Sequence, residues 1–187
     1  MPSRIVVLAS GSGTTLQAIL DDPVLRPRVV AAGTDVPSCP AMARALAAGI
    51  ATFAEALGDY PDRDTWNDAL GEAIAAHDPD LVVLAGFMRI LGPKMVARFR
   101  IVNTHPALLP AFPGAHAIRD ALAAGVPTTG VTVHWVDEGV DTGPVIAQVP
   151  VDIVPADDET TLRERIQAAE KPLYVRAIRN LISEPSN

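Results

Sequence analysis

Apolar residues along this chain fall into two kinds of run. Ile5-Val6-Val7-Leu8-Ala9 and Leu81-Val82-Val83-Leu84-Ala85 are short and unbroken, as expected of strands buried on both faces of a parallel sheet. Elsewhere apolar residues recur at helical spacing: Leu16, Ile19 and Leu20 after the first strand, then Ala41–Ala48 closed by Gly49. Trp66, Ala69, Leu70, Ala73 and Ile74 follow a capping Asp62, and this helix is expected to end near His77 and Pro79. Further strands are expected at Val29–Gly33, Ile50–Phe53 and Arg100–His105.

The second half reads differently. A Pro-stiffened loop (Pro106, Pro110, Pro113) precedes a helix expected over Ala115–Ala124. Val131–Val136 alternates polar and apolar, which predicts a half-buried strand near an edge, antiparallel to Val145–Val151. A long helix from about Thr160 to Ile182 would bury Leu162, Ile166, Ala169, Leu173 and Ile178. Thr161 and Glu164 have capping-box spacing, and Pro172 should kink the helix or shift its boundary. The pattern predicts an α/β fold: a mostly parallel twisted sheet with helices on both faces and an antiparallel edge toward the C-terminus.

Composition narrows this. With 187 residues, 49% of them apolar and 4% aromatic, one domain over 1–187 with Ala-rich helices is the expected organisation. Fifteen Lys and Arg against 22 Asp and Glu give a net charge of −7, which opposes broad contact with nucleic acid but leaves room for a local phosphate site. The single Cys39 has no partner for a disulfide, and Met1-Pro2-Ser3-Arg4 is too short a lead for a signal peptide. No apolar run approaches the ~20 residues that cross a bilayer, so a cytoplasmic setting without membrane contact is expected.

Three segments carry candidate chemistry. Ser10-Gly11-Ser12-Gly13-Thr14-Thr15 follows the first strand and opens a helix, where amide groups and the positive helix end can hold a phosphate. A dinucleotide fingerprint would place a glycine where Leu16 stands, although Asp35 lies where a ribose-binding acid would. In Asn103-Thr104-His105-Pro106, an extended backbone faces Asn103 and His105 the same way. They could converge on an oxygen that becomes negative, or His105 could satisfy only nearby backbone. Asp137-Glu138-Gly139-Val140-Asp141-Thr142-Gly143 is either a surface turn or a loop that brings Asp141 to His105 and favours the imidazolium. A zinc site from His105, His116, His134 and Asp141 lacks ligand spacing, so no metal is expected, and Cys39 lacks a local base.

Taken together, four ordered blocks resemble the glycinamide ribonucleotide formyltransferases over nearly the whole chain. They are Ile5–Gly13, Leu84–Leu91, Asn103–Gly114 and Asp141-Thr142-Gly143-Pro144. The resemblance implies a Rossmann-like formyltransferase fold and transfer of the formyl group of 10-formyltetrahydrofolate to the amine of glycinamide ribonucleotide. It implies Asn103, His105 and Asp141 as catalytic residues, and Gly11, Gly13, Thr14, Thr15, Gln167 and Glu170 on the ribonucleotide side. Arg63, Met88, Arg89, Ile90, Leu91 and Val140 fall on the folate side with Asn103 and Asp141. Residues to about 100 would bind the phosphoribosyl group, and 101–187 would supply catalysis and folate binding, in a monomer or homodimer. Thr14-Thr15 stands where the family often has Ser-Asn. Another folate-dependent formyltransferase or deformylase, a non-catalytic nucleotide-binding module and a nicotinamide oxidoreductase are the alternatives.

Overall fold

A computed structural model describes residues 3–183. Met1 and Pro2 of the start read against a signal peptide, and the last four residues of the expected 1–187 domain, lie outside the described residues.

Seven strands form one sheet: β1 (Ile5–Leu8), β2 (Val29–Thr34), β3 (Ala51–Ala54), β4 (Leu81–Leu84), β5 (Ile101–His105), β6 (Thr128–Trp135) and β7 (Val145–Asp152). Their order is β3-β2-β1-β4-β5-β6-β7. The first five are parallel, while β6 runs antiparallel to both β5 and β7. The alternation of strand side chains divides the core in two. Ile5, Val7 and Val83 pack under α1 (Thr14–Asp21), α2 (Pro40–Ala47), α5 (Ala117–Ala124) and α6 (Glu159–Ser183). Val6, Leu8 and Val82 pack under α3 (Arg63–Ala75) and α4 (Pro93–Arg98). Helices therefore cover both faces, as the unbroken strand runs require. Because β2 and β4 leave the centre in opposite directions, a crevice opens beyond the carboxyl ends of β1 and β4, where ligands bind in open α/β sheets.

Several local expectations need correction. Helix α4 had no signal in the apolar pattern; it is one short turn-and-a-half opened by Pro93, with only Met95 buried. Strand β6 is buried along nearly its whole length, and β7 is the edge. Its polar residues face the interior because they have work there: the Thr132 hydroxyl donates to Ala107 O at 2.7 Å and accepts from Leu109 N–H at 3.0 Å. The reciprocal cap of α6 lies one turn before the expected one. Asp158 Oδ1 accepts from Thr161 N–H, and Thr161 Oγ1 accepts from Asp158 N–H. Helix α6 runs through Pro172 without a break, anchored beyond it by buried Leu173, Tyr174, Ala177 and Ile178.

Tyr174 has a direct bearing on the site. Its hydroxyl lies 3.0 Å from Leu84 O and 2.9 Å from Val102 O, pinning together the strands from which the two reactive segments emerge. Full burial pushes its pKa well up, so it remains a neutral donor.

Candidate active site

The glycine turn is built by tension from α2. Gly11 O accepts from Ala41 N–H at 3.1 Å, and Ser12 O accepts from Arg44 Nε at 2.8 Å. In a trans peptide the N–H points opposite to the C=O. Holding those two carbonyls therefore turns the N–H groups of Ser12 and Gly13 away from α2 and toward the cleft. Gly13 sits at φ +73°, and a Cβ there would fall 2.6 Å from Ala41 Cα, so only glycine fits. Among the described residues no side chain caps α1, which leaves its first-turn amides and positive end open to an anion.

This turn lines a cavity of about 250 Å³ together with Gln167 and Glu170 of α6. All six residues expected on the ribonucleotide side, Gly11, Gly13, Thr14, Thr15, Gln167 and Glu170, line it. Thr15 Oγ1 donates to Glu170 Oε1 at 2.9 Å, tying α1 to α6. Burial raises the Glu170 pKa, with the Thr15 bond and the charge of Lys171 working against that rise.

A second cavity, of about 450 Å³, adjoins the first, and Gly86, Met88, Thr104, Pro106 and Arg163 line both. Met88, Arg89, Ile90, Leu91, Asn103, His105, Val140 and Asp141 all line this second space. Met88 and Ile90 are exposed apolar side chains, 75% and 58% accessible, and give this space an apolar wall. Arg63 is not among the lining residues; its guanidinium donates to Ile90 O at 2.7 Å, on the main-chain strip 88–91 that lines the cavity. Asn67 Oδ1 accepts from Gly92 N–H at 2.8 Å, so the strip is held at both carbonyl and amide positions.

Where the cavities meet, the three separated residues come together. Antiparallel pairing sets Asn103 opposite His134 and His105 opposite Thr132. The 137–143 loop is folded back by Asp137, whose Oδ1 accepts from Gly139 N–H at 3.0 Å and from the Thr142 hydroxyl at 2.7 Å. Asp141 then lies 3.2 Å from His105 Nδ1 and accepts from Gly114 N–H at 2.8 Å. His105 Nε2 lies 2.7 Å from Phe112 O, and a carbonyl can only accept, so Nε2 carries a proton. Both ring nitrogens thus face acceptor atoms. Phe112 and Asp141, the two residues that supply those acceptors, have positive φ of 51° and 55°. Such non-glycine backbone costs on the order of 1–2 kcal/mol each and clusters at functional sites.

His134 adds a third member. Its Nε2 is 3.6 Å from Asp141 Oδ1, too far for a formed hydrogen bond, and is buried without a partner. The proximity of His134, the Gly114 amide and the charge of His105 hold the Asp141 carboxyl below its ordinary range, outweighing its desolvation. Among the described residues no cluster of three or more His, Cys, Asp and Glu has a metal-binding arrangement.

Sequence reasoning passed over Thr104 and Arg163. The Thr104 hydroxyl is buried beside both cavities without a hydrogen-bond partner among the described residues. Arg163 shares a helical face with Gln167 and Glu170 at i, i+4 and i+7, a spacing that was available to find it. Asp35 is not open to a ribose: its side chain is 0% exposed and engaged by Ser10 and Arg89.

Residues 3–178 match the formyl transferase family. Phosphoribosylglycinamide formyltransferase of Mycobacterium tuberculosis (strain CDC 1551 / Oshkosh) is 55% identical over 181 residues, covering 95% of this chain and 84% of that protein. The enzyme of the same name from Escherichia coli (strain K12) is 39% identical over 176 residues, covering 91% and 83%. The crystal structure of glycinamide ribonucleotide transformylase 1 from Symbiobacterium toebii superimposes with a TM-score of 0.93 at 44% identity, covering 97% of this chain and 88% of that one. That from Geobacillus kaustophilus gives 0.92 at 43%, covering 97% and 100%. The chain belongs to the formyl transferase family and, within it, to the phosphoribosylglycinamide formyltransferases.

Proposed function

We infer that this protein transfers the formyl group of 10-formyltetrahydrofolate to the amine of glycinamide ribonucleotide, giving formylglycinamide ribonucleotide and tetrahydrofolate in de novo purine biosynthesis. One observation carries the reading: an anion cradle and a strip of main-chain groups open into one continuous cleft, with Asn103, His105 and Asp141 at their junction.

The amides of Ser12 and Gly13 and the first turn of α1 receive the phosphate, while Gln167 and Glu170 face the ribose and glycinamide. The folate ring lies along Met88–Leu91 opposite Val140, with Arg63 bracing the strip through Ile90 O. Residues from both halves of the described chain line each cavity, which supports the reading of one formyltransferase domain.

The neutral glycinamide amine attacks the formyl carbon, forming a C–N bond and a tetrahedral oxyanion. Asn103 donates its amide to that oxygen, and His105 exchanges its bond to Phe112 O for one to the same oxygen. Asn103, in place before charge develops, stabilises it without reorganisation, whereas His105 must first give up its bond to Phe112 O. The Asp141 carboxylate, 3.2 Å from Nδ1, offsets positive charge on the ring as it turns. Collapse breaks the bond to the folate nitrogen, which takes up a proton as the attacking nitrogen loses one, and no covalent enzyme intermediate or metal is needed. The net charge and the size of the cleft suit two small-molecule substrates and no nucleic acid. A cytoplasmic monomer or homodimer fits this role.

Incubation with both substrates, and with each omitted, tests the assignment. Formylglycinamide ribonucleotide formed only when both are present is the expected result. Formate released without the ribonucleotide would instead identify a deformylase, and no turnover would identify a binding module.

A further inference from the structure

Asp35 follows the last residue of β2, and its carboxylate is wholly buried. A buried charge is retained only with close partners. Its partners come from beyond the neighbouring strand. Asp35 Oδ1 accepts from the Ser10 hydroxyl at 2.5 Å, and Oδ2 accepts from Arg89 Nε at 2.6 Å. Ser10 Oγ in turn accepts from Met88 N–H at 2.9 Å. A hydroxyl has one proton, and the carboxylate takes it, so a lone pair is left facing Met88. One acid thereby fixes two consecutive residues of the strip, Met88 through its backbone and Arg89 through its side chain.

We propose that Asp35 is a positioning residue for the folate cosubstrate: through Ser10 and Arg89 it sets the place and direction of the Met88–Leu91 main chain. The proposal rests on the reading that this strip receives folate. It also gives the Arg89 side chain a second task, the Nε bond to Asp35 that holds the strip, beside its place in the cavity lining. Arg63 at Ile90 O and Asn67 at Gly92 N–H secure the far end. Asp35 secures the near end, where the strip leaves β4 beside the glycine turn.

Asp35→Asn keeps the shape and removes the charge, and Ser10→Ala removes the relay. Each full-length variant is assayed by varying one substrate at a time, and hydrogen exchange is followed at the Met88 amide. Loss of a charge-assisted hydrogen bond from the support predicts KM for 10-formyltetrahydrofolate raised about tenfold in Asp35→Asn, with kcat and the ribonucleotide KM each within about threefold. The Met88 amide should exchange faster in both variants, and Ser10→Thr, which restores the hydroxyl, should recover slow exchange. A folded Asp35→Asn enzyme with unchanged folate KM, or with both KM values raised in parallel, would overturn the proposal. Unaltered Met88 exchange in both variants would remove the tether itself, even if Asp35→Asn proved too unstable for kinetics. Wild-type protein that shows the tether but no folate-dependent transfer would overturn the functional reading, and with it only the identity of the positioned ligand.

Discussion

Replacing Asp141 with Asn isolates the charge beside His105. Asn tolerates the left-handed backbone at φ 55° as well as Asp does, so the loop keeps its path. The carboxyl is held below its ordinary 3.8, so it is fully ionised throughout a neutral assay range and the substitution removes a whole charge. At the 3.2 Å separation from His105 Nδ1, a unit pair in an effective dielectric of about 20 is worth roughly 5 kcal/mol. The hydrogen bond that a neutral amide still makes, and relief of the carboxylate's desolvation, reduce this to roughly 2–4 kcal/mol, or ~30–1,000-fold in rate. Steady-state kinetics should show that loss in kcat, with both KM values within about fivefold, because the charge acts on the transition state more than on bound substrates. A folded Asp141→Asn enzyme with kcat within about threefold of wild type would refute the electrostatic role given to this residue.

Asn103→Ala removes one oxyanion donor and should lower kcat by about a hundred- to a thousandfold while leaving thermal stability near wild type, by turnover and calorimetry. Arg44→Met frees Ser12 O and loosens the cradle, so the ribonucleotide KM should rise about tenfold with a smaller change in kcat. Glu170→Gln should stabilise the protein at neutral pH and weaken ribonucleotide binding. A carboxyl whose pKa is raised by folding opposes folding once pH exceeds its unfolded value near 4.5, so the gain in Tm should vanish below that pH.

The parallel half of the fold was legible because strands buried on both faces leave unbroken apolar runs, and β1 and β4 could hardly be anything else. Strand β6 misled for an instructive reason. Its alternation marks polar residues that serve the interior, Thr132 bridging the 107–109 loop and His134 standing beside Asp141, and periodicity alone does not distinguish such residues from a wet face. Helix α4 escaped because six residues with one buried side chain leave no period to detect. Of the site, Asn103 and His105 were legible as an i, i+2 pair on one strand face. The approach of Asp141 was not, since it depends on Asp137 folding the loop and on two positive-φ residues, and no spacing rule encodes those. Asp35 lies where a ribose-binding acid would in a dinucleotide site; its burial beneath Ser10 and Arg89 is a tertiary fact that position after a strand does not reveal.

The most direct test of the account is a crystal structure with glycinamide ribonucleotide and a non-transferable formylfolate analogue bound together. The amine is expected about 3–3.5 Å from the carbon that mimics the formyl group, with that group's oxygen in hydrogen-bond reach of both Asn103 and His105. Two ligands bound with their reactive atoms directed away from that junction, and no closure able to join them, would contradict it.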